Sequence, residues 1–213
     1  MLLLRAAASS HALPSRAAVT PSLQSVRMRA FVATPALPYP RAAVAVTVLR
    51  HEDDCDTMSS ERQYLLAQRA NNPGAGTWSL PGGKINLGET FLNASAREIF
   101  EETALGPDEL RLSPWPIDAS DVIVPTAEGE NVAFHYVLTQ CFAFAEPGVT
   151  PRGGDDASAV RWATLAEVES GALPLGGNVG AVLRRAEALL ERGALIRDEC
   201  VTVAVDSVNP PGT

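Results

Sequence analysis

Acidic residues are missing from the first fifty positions of this 213-residue chain, a stretch that carries Arg5, Arg16, Arg27, Arg29, Arg41 and Arg50. The formal net charge of −8 therefore belongs entirely to the remaining residues. Cysteine is scarce: Cys55, Cys141 and Cys200 lie far apart with no CxxC pairing, which excludes a disulfide framework and a cysteine-based zinc site. No apolar run approaches the roughly twenty residues a membrane-spanning helix requires, so no membrane partner is expected. A broad basic surface is lacking as well, with a sequence pI near 4.9, and this argues against polymeric nucleic acid as a partner. A small anionic ligand held through metal ions stays compatible with such a charge balance.

The acid-free beginning, residues 1–30, is rich in Ala, Ser and Arg with only a short apolar patch at Leu2–Leu4, which fits an organellar transit peptide for chloroplast or mitochondrion. FVATPALPYP, residues 31–40, holds three prolines and reads as an extended linker. A folded domain is expected over 41–195 and a C-terminal tail over 196–213. Within the domain, Val44–Leu49, Tyr64–Arg69 and Trp78–Leu80 have strand character. A helix should start near Glu89 or Thr90 and end around Thr103–Leu105. VIVPTAEGENVAFHYVLTQCFAFA reads as two strands about a turn, the second long and central, and a further strand ends at Trp162 before a short helix opened by Thr164. NVGAVLRRAEALLERG places Val179, Val182, Leu183, Ala186, Leu189 and Leu190 on one helical side. Strands and hairpins on both sides of a helix, without strict alternation, point to an α/β layer fold with a mixed sheet.

The charge run REIFEE, residues 97–102, sets three carboxylates within one and a half helical turns. Glu98, Glu101 and Glu102 share a helix side at about 100° per residue, and like charges so spaced repel unless a cation compensates them. Extended backward, the run becomes GKINLGETFLNASAREIFEETAL. Gly83 is followed by Glu89, then by Arg97, Glu98, Glu101 and Glu102, at the spacing of the Nudix box, which these residues resemble closely. At about 6 to 7% usage per residue type, six fixed matches arise by chance in a chain this long about once in a hundred thousand. Ala104 stands where the family has Gly. A left-handed Ala costs about 1 kcal/mol, so either the helix runs on to turn at Gly106 or Ala104 is strained, and neither touches the carboxylates.

The resemblance spans roughly residues 40–190. TWSLPGGK, FHYVL and GDDASAVRWATLAE are similar to the ADP-ribose pyrophosphatase-like branch, while WSLPGGK also resembles enzymes that remove oxidised guanine nucleotides. It implies a Nudix fold, a mixed β-sheet sandwiched between helices (α/β/α) with a catalytic strand-loop-helix motif. It further implies Mg2+, or Mn2+, held by Glu98, Glu101, Glu102 and the Gly82 carbonyl, with Arg97 orienting the acids and Gly83 and Glu89 as motif positions. For the catalytic base it points to the GGDDA loop with Asp155 and Asp156, where Asp156 is favoured over Glu128 and Glu130. Trp78, Phe134 and Tyr136 are candidates to line a nucleotide pocket, with His135 as readily a packing residue, and Lys84 and Arg69 could meet phosphates. The implied reaction is hydrolysis of a nucleoside diphosphate derivative such as ADP-ribose. Alternatives are an 8-oxo-dGTP-type pyrophosphatase and a non-catalytic nucleotide-binding module, and a homodimer is left open.

Overall fold

The structure, a computed structural model, describes residues 39–51, 62–72, 74–126, 129–154 and 156–203. The transit-peptide expectation, Cys55, Glu128 and Asp155 lie outside the described residues. The strands are β1 (Arg41–Leu49), β2 (Gln63–Arg69), β3 (Trp78–Ser79), β4 (Leu110–Leu112), β5 (Asp118–Pro125), β6 (Val132–Ala145) and β7 (Ala157–Thr164). The helices are α1 (Phe91–Thr103), α2 (Leu165–Glu169) and α3 (Val179–Glu191), with single 3-10 turns at Pro107–Glu109 and Arg197–Glu199.

One mixed sheet runs β3-β2-β1-β6-β4, with β5 added on β6 and β7 on β2. β1 and β6 pair in parallel from Arg41↔Tyr136 to Leu49↔Phe144, while the pairings of β2 with β7 and of β6 with β4 and β5 are antiparallel. Period-two alternation sorts the apolar residues onto two faces. Val44, Val46, Val48, Leu65, Cys141 and Ala143 pack with Ala94, Ala96 and Ile99 of α1. Leu49, Tyr64, Leu66 and Phe142 pack with Val179, Val182, Leu183 and Ala186 of α3. The sheet therefore sits between helices, as the α/β/α reading expects. Leu189 and Leu190, assigned to the same side of α3, are only partly buried against that core.

Strand β4 has no sequence signal, since three residues are too few for a period. The supposed tail is partly built into the fold: Val201 and Leu112 exchange both backbone hydrogen bonds at 2.8 and 2.9 Å, and Val203 joins the α1-side core. Two residues of the expected 196–213 tail thus belong to that edge of the sheet, where Val201 is the partner of Leu112.

Helix α1 begins where Thr90 Oγ1 accepts the Asn93 N–H at 3.2 Å, which satisfies one of the donors left over at a helix start. It ends at Thr103, and Ala104 adopts φ 57°, ψ 14° with its N–H on Phe100 O. Of the two ways to accommodate Ala104, the strained left-handed residue is the one observed, and Gly106 is extended. The terminus is completed from elsewhere: Gly154 N–H donates to Glu102 O at 3.0 Å and Arg152 N–H to Thr103 O at 2.8 Å. Replacing Ala104 by Gly should relieve the left-handed strain and stabilise the fold by about 1 kcal/mol. Thermal unfolding should then show a midpoint raised by about 2 to 4 °C.

Candidate active site

The segment Pro81–Ile85 runs antiparallel beside β1, with Val46 N–H on Pro81 O and Val44 N–H on Gly83 O, each at 2.8 Å. In an extended stretch alternate peptides point to opposite sides, so the Gly82 peptide faces away from β1. Its N–H donates to Glu102 Oε2 at 3.2 Å. The two glycines are required for different reasons. A Cβ on Gly82 would overlap the Val44 carbonyl oxygen and stand 2.8 Å from Ala45 Cα. A Cβ on Gly83 would meet the Glu98 carboxylate at 2.5 Å. One glycine lets the segment lie on β1; the next makes a cradle for Glu98.

Arg97 faces the loop before α1. Its Nε and Nη2 donate to the two oxygens of Glu89 at 2.8 and 2.9 Å, and Nη2 also donates to Lys84 O at 2.9 Å. Nη1 donates to Glu98 Oε1 at 2.8 Å and to Glu101 Oε2 at 3.0 Å. All five N–H groups of the guanidinium are thereby used. Glu89 is held below the ordinary carboxylate range chiefly by its bonds to Arg97, helped by the Asn86 N–H. The Arg97 guanidinium is pushed up in turn.

The other acids face a different balance. Burial raises Glu98, against the opposing pull of Arg97. Burial pushes Glu102 up to about 7; the Gly82 N–H and Arg69 oppose this, and the charges of Glu98 and Asp156 add to it. Glu101 is more exposed, and Arg97 ties it to Glu98. Two neighbouring, partly desolvated carboxylates are costly as anions unless a cation joins them.

Among the described residues, no three His, Cys, Asp or Glu side chains already converge as a closed metal cage. The donor set still fits a hard divalent ion. Such an ion takes oxygen ligands, keeps waters, and is commonly held by one or two carboxylates with substrate phosphates supplying the rest. The Gly83 cradle and the partly buried pair Glu98 and Glu102 match that pattern.

Asp156 and Arg69 belong to the same neighbourhood, since both charges act on Glu102. Lys84 is exposed and contributes its carbonyl to Arg97. Trp78 packs against the α3-side core with the Arg161 guanidinium 5.9 Å from its ring centre, and Tyr136, its ring tilted against Phe134 with centres 5.5 Å apart, shares the β6 face of Phe142. His135 bonds Asp121 at 2.8 Å, and Glu130 sits in the β5–β6 turn. Sequence reasoning misses Gly154, whose Cβ would overlap the Glu101 carbonyl oxygen, and Asn71, whose Nδ2 donates to Asp156 Oδ1. The paired glycines ahead of the aspartates are the available signal for the first; the second has none.

A family model described as NUDIX domain matches residues 39–186. A Mycobacterium tuberculosis protein provisionally named 8-oxo-dGTP diphosphatase 2 is 35% identical over 106 residues, 49% of this chain and 66% of its own. An ADP-ribose pyrophosphatase of Methanocaldococcus jannaschii is 46% identical over 50 residues, 24% of this chain and 30% of its own. The chain thus spans two thirds or less of the relatives it matches here. In fold it is similar to a Caenorhabditis elegans Ap4A hydrolase (TM-score 0.56, 16% identity, 71% of this chain and 98% of that one). It is also similar to the NUDIX domain of Shewanella oneidensis NrtR complexed with ADP ribose (0.52, 22%, 71% and 89%).

Gly82→Ala forces β1 or the segment beside it to move and should unfold the protein at ordinary temperatures, whereas Gly83→Ala only displaces a flexible carboxylate. The second variant should keep its thermal midpoint within a few degrees while losing divalent-metal affinity by calorimetry. Separately, the folded-state pKa of Glu102 lies above the ordinary value near 4.5. The stability it contributes in metal-free protein is therefore complete below about pH 4.5 and lost as pH rises through about 7. Unfolding midpoints taken in chelator from pH 4.5 to 7.5 should fall for the wild type and run flatter for Glu102→Gln.

Proposed function

Because the chain belongs to the NUDIX family, we propose that it is a magnesium-dependent pyrophosphohydrolase that opens the diphosphate linkage of a nucleoside diphosphate derivative. ADP-ribose is the first substrate to test, yielding AMP and ribose 5-phosphate. The observation that carries this reading is the pair of partly desolvated carboxylates, Glu98 and Glu102, one helical turn apart beside the glycine cradle. An arrangement that disfavours its own anions is poor as a mere surface charge run and well suited to receive cations.

Glu98 and Glu102, with Glu101 beside them and the Gly82 carbonyl on the same side, would hold the ion. Mg2+, or Mn2+ in its place, when held there would supply charge neutralisation for the diphosphate and a site for the attacking water. Arg97 holds Glu98 by Oε1, which would leave Oε2 to the ion. Arg69 and Lys84, both exposed, would meet phosphate oxygens. Asp156 accepts the proton of the attacking water as the new P–O bond forms and the bridging P–O bond breaks toward the departing phosphate.

A second enzymatic reading is removal of pyrophosphate from an oxidised nucleoside triphosphate, supported by the similarity to the M. tuberculosis protein. Turnover of ADP-ribose, NADH and 8-oxo-dGTP with magnesium separates the two. Glu98→Gln and Glu102→Gln should each lower kcat by at least a hundredfold on the preferred substrate while nucleotide binding persists. Unchanged turnover in both variants would sink the enzymatic reading, and binding with no turnover by the wild type would instead favour a recognition module. Release into the organelle stroma or matrix is part of the same proposal, tested by imaging the full chain against a chain lacking residues 1–30.

A further inference from the structure

The turn after β2 reaches across to the loop before β7. Ala70 N–H donates to the Asp156 carbonyl at 2.9 Å, and Asn71 Nδ2 donates to Asp156 Oδ1 at 3.0 Å. The opposite side of that loop is pinned to the end of α1 by Gly154 N–H on Glu102 O and Arg152 N–H on Thr103 O. Gly154 has no freedom to carry a side chain there, since a Cβ would strike the Glu101 carbonyl oxygen. An exposed aspartate ordinarily rotates freely. Asp156 instead has its main chain and one carboxylate oxygen fixed, between the helix end bearing Glu102 and the strand end bearing Arg69.

We infer that Asn71 is a positioning residue for the reaction: its side-chain amide holds Asp156 Oδ1 so that Oδ2 is the oxygen presented to the attacking water. The inference rests on the proposed pyrophosphohydrolase reading, with Asp156 as the base. The chemistry favours an amide in this role. A Lys or Arg at position 71 would pair with the carboxylate and quench its basicity, and an acid would repel it, whereas a neutral donor orients one oxygen and leaves the other basic. Groups that orient a reacting side chain in this way commonly influence rate by one to two orders of magnitude. The water gives its proton to Oδ2, its electron pair forms the bond to phosphorus, and the bridging oxygen leaves with the electrons of the broken bond.

Steady-state kinetics on the full chain, with magnesium and whichever of the three nucleotides is turned over, test this through a double-mutant cycle. Asn71→Ala should lower kcat roughly tenfold with KM and the thermal midpoint unchanged. In an Asp156→Asn background, which is itself slow, the same substitution should cost nothing further, because the two side chains act as one unit. A kcat untouched by Asn71→Ala, or the same tenfold loss in the Asp156→Asn background, overturns the inference and leaves the base assignment standing. An Asp156→Asn variant with wild-type kcat removes the base assignment and the inference with it, while Glu98→Gln and Glu102→Gln report independently on the pyrophosphohydrolase reading.

Discussion

One guanidinium holds the acidic helix and the loop before it in a single arrangement. Arg97 spends its five N–H groups on Glu89, Glu98, Glu101 and the Lys84 carbonyl, and it does so from a largely buried position. No other side chain offers five donors in a planar fork. A lysine could neutralise the same charge but could not take both Glu89 oxygens while also reaching two helix carboxylates and a carbonyl. The crowding of acids that looks unfavourable as a bare sequence is thus compensated from behind, on the side where α1 meets its preceding loop.

That compensation is one-sided. Glu89 is held firmly ionised, whereas Glu98 and Glu102, turned toward the Pro81–Ile85 segment, are disfavoured as anions by burial. The helix therefore presents a neutralised rear and an unsatisfied front, and the two glycines mark the boundary between structure and site. Gly82 answers to the backbone of β1, a constraint of packing; Gly83 answers to the Glu98 carboxylate, a constraint of the site. Adjacent identical residues thus carry unrelated demands.

Much of this is legible in the sequence where the information is local or fixed in spacing. The run from Gly83 to Glu102 specifies both the helix and its acids, and alternation along β1, β2 and β6 specifies the two faces of the sheet. The parallel pairing of β1 with β6 is not legible, because nothing in a strand's own composition names a partner 95 residues away. Nor is β4, which exists because Ala143–Ala145 of β6 offers it a ladder, or the insertion of Val201 and Val203 at the sheet edge. Residue type alone makes Trp78 and Tyr136 pocket candidates. Which face an aromatic occupies depends on register and packing, and packing puts Trp78 against the α3-side core. The link from Asn71 to Asp156 joins residues far apart in the chain through a single amide, which leaves no pattern in either neighbourhood.

The terminus of α1 is finished by a loop that lies about fifty residues further along the chain. A helix whose final carbonyls are answered by its own next residue can set its last turn as soon as it emerges from a ribosome. Here the next residue, Ala104, answers only Phe100 O, and the carbonyls of Glu102 and Thr103 wait for residues 152–154. Until β6 has been synthesised and has returned the chain to the sheet, that turn is left to solvent. The last turn of the acidic helix is therefore complete only in a chain that β6 has carried back to it.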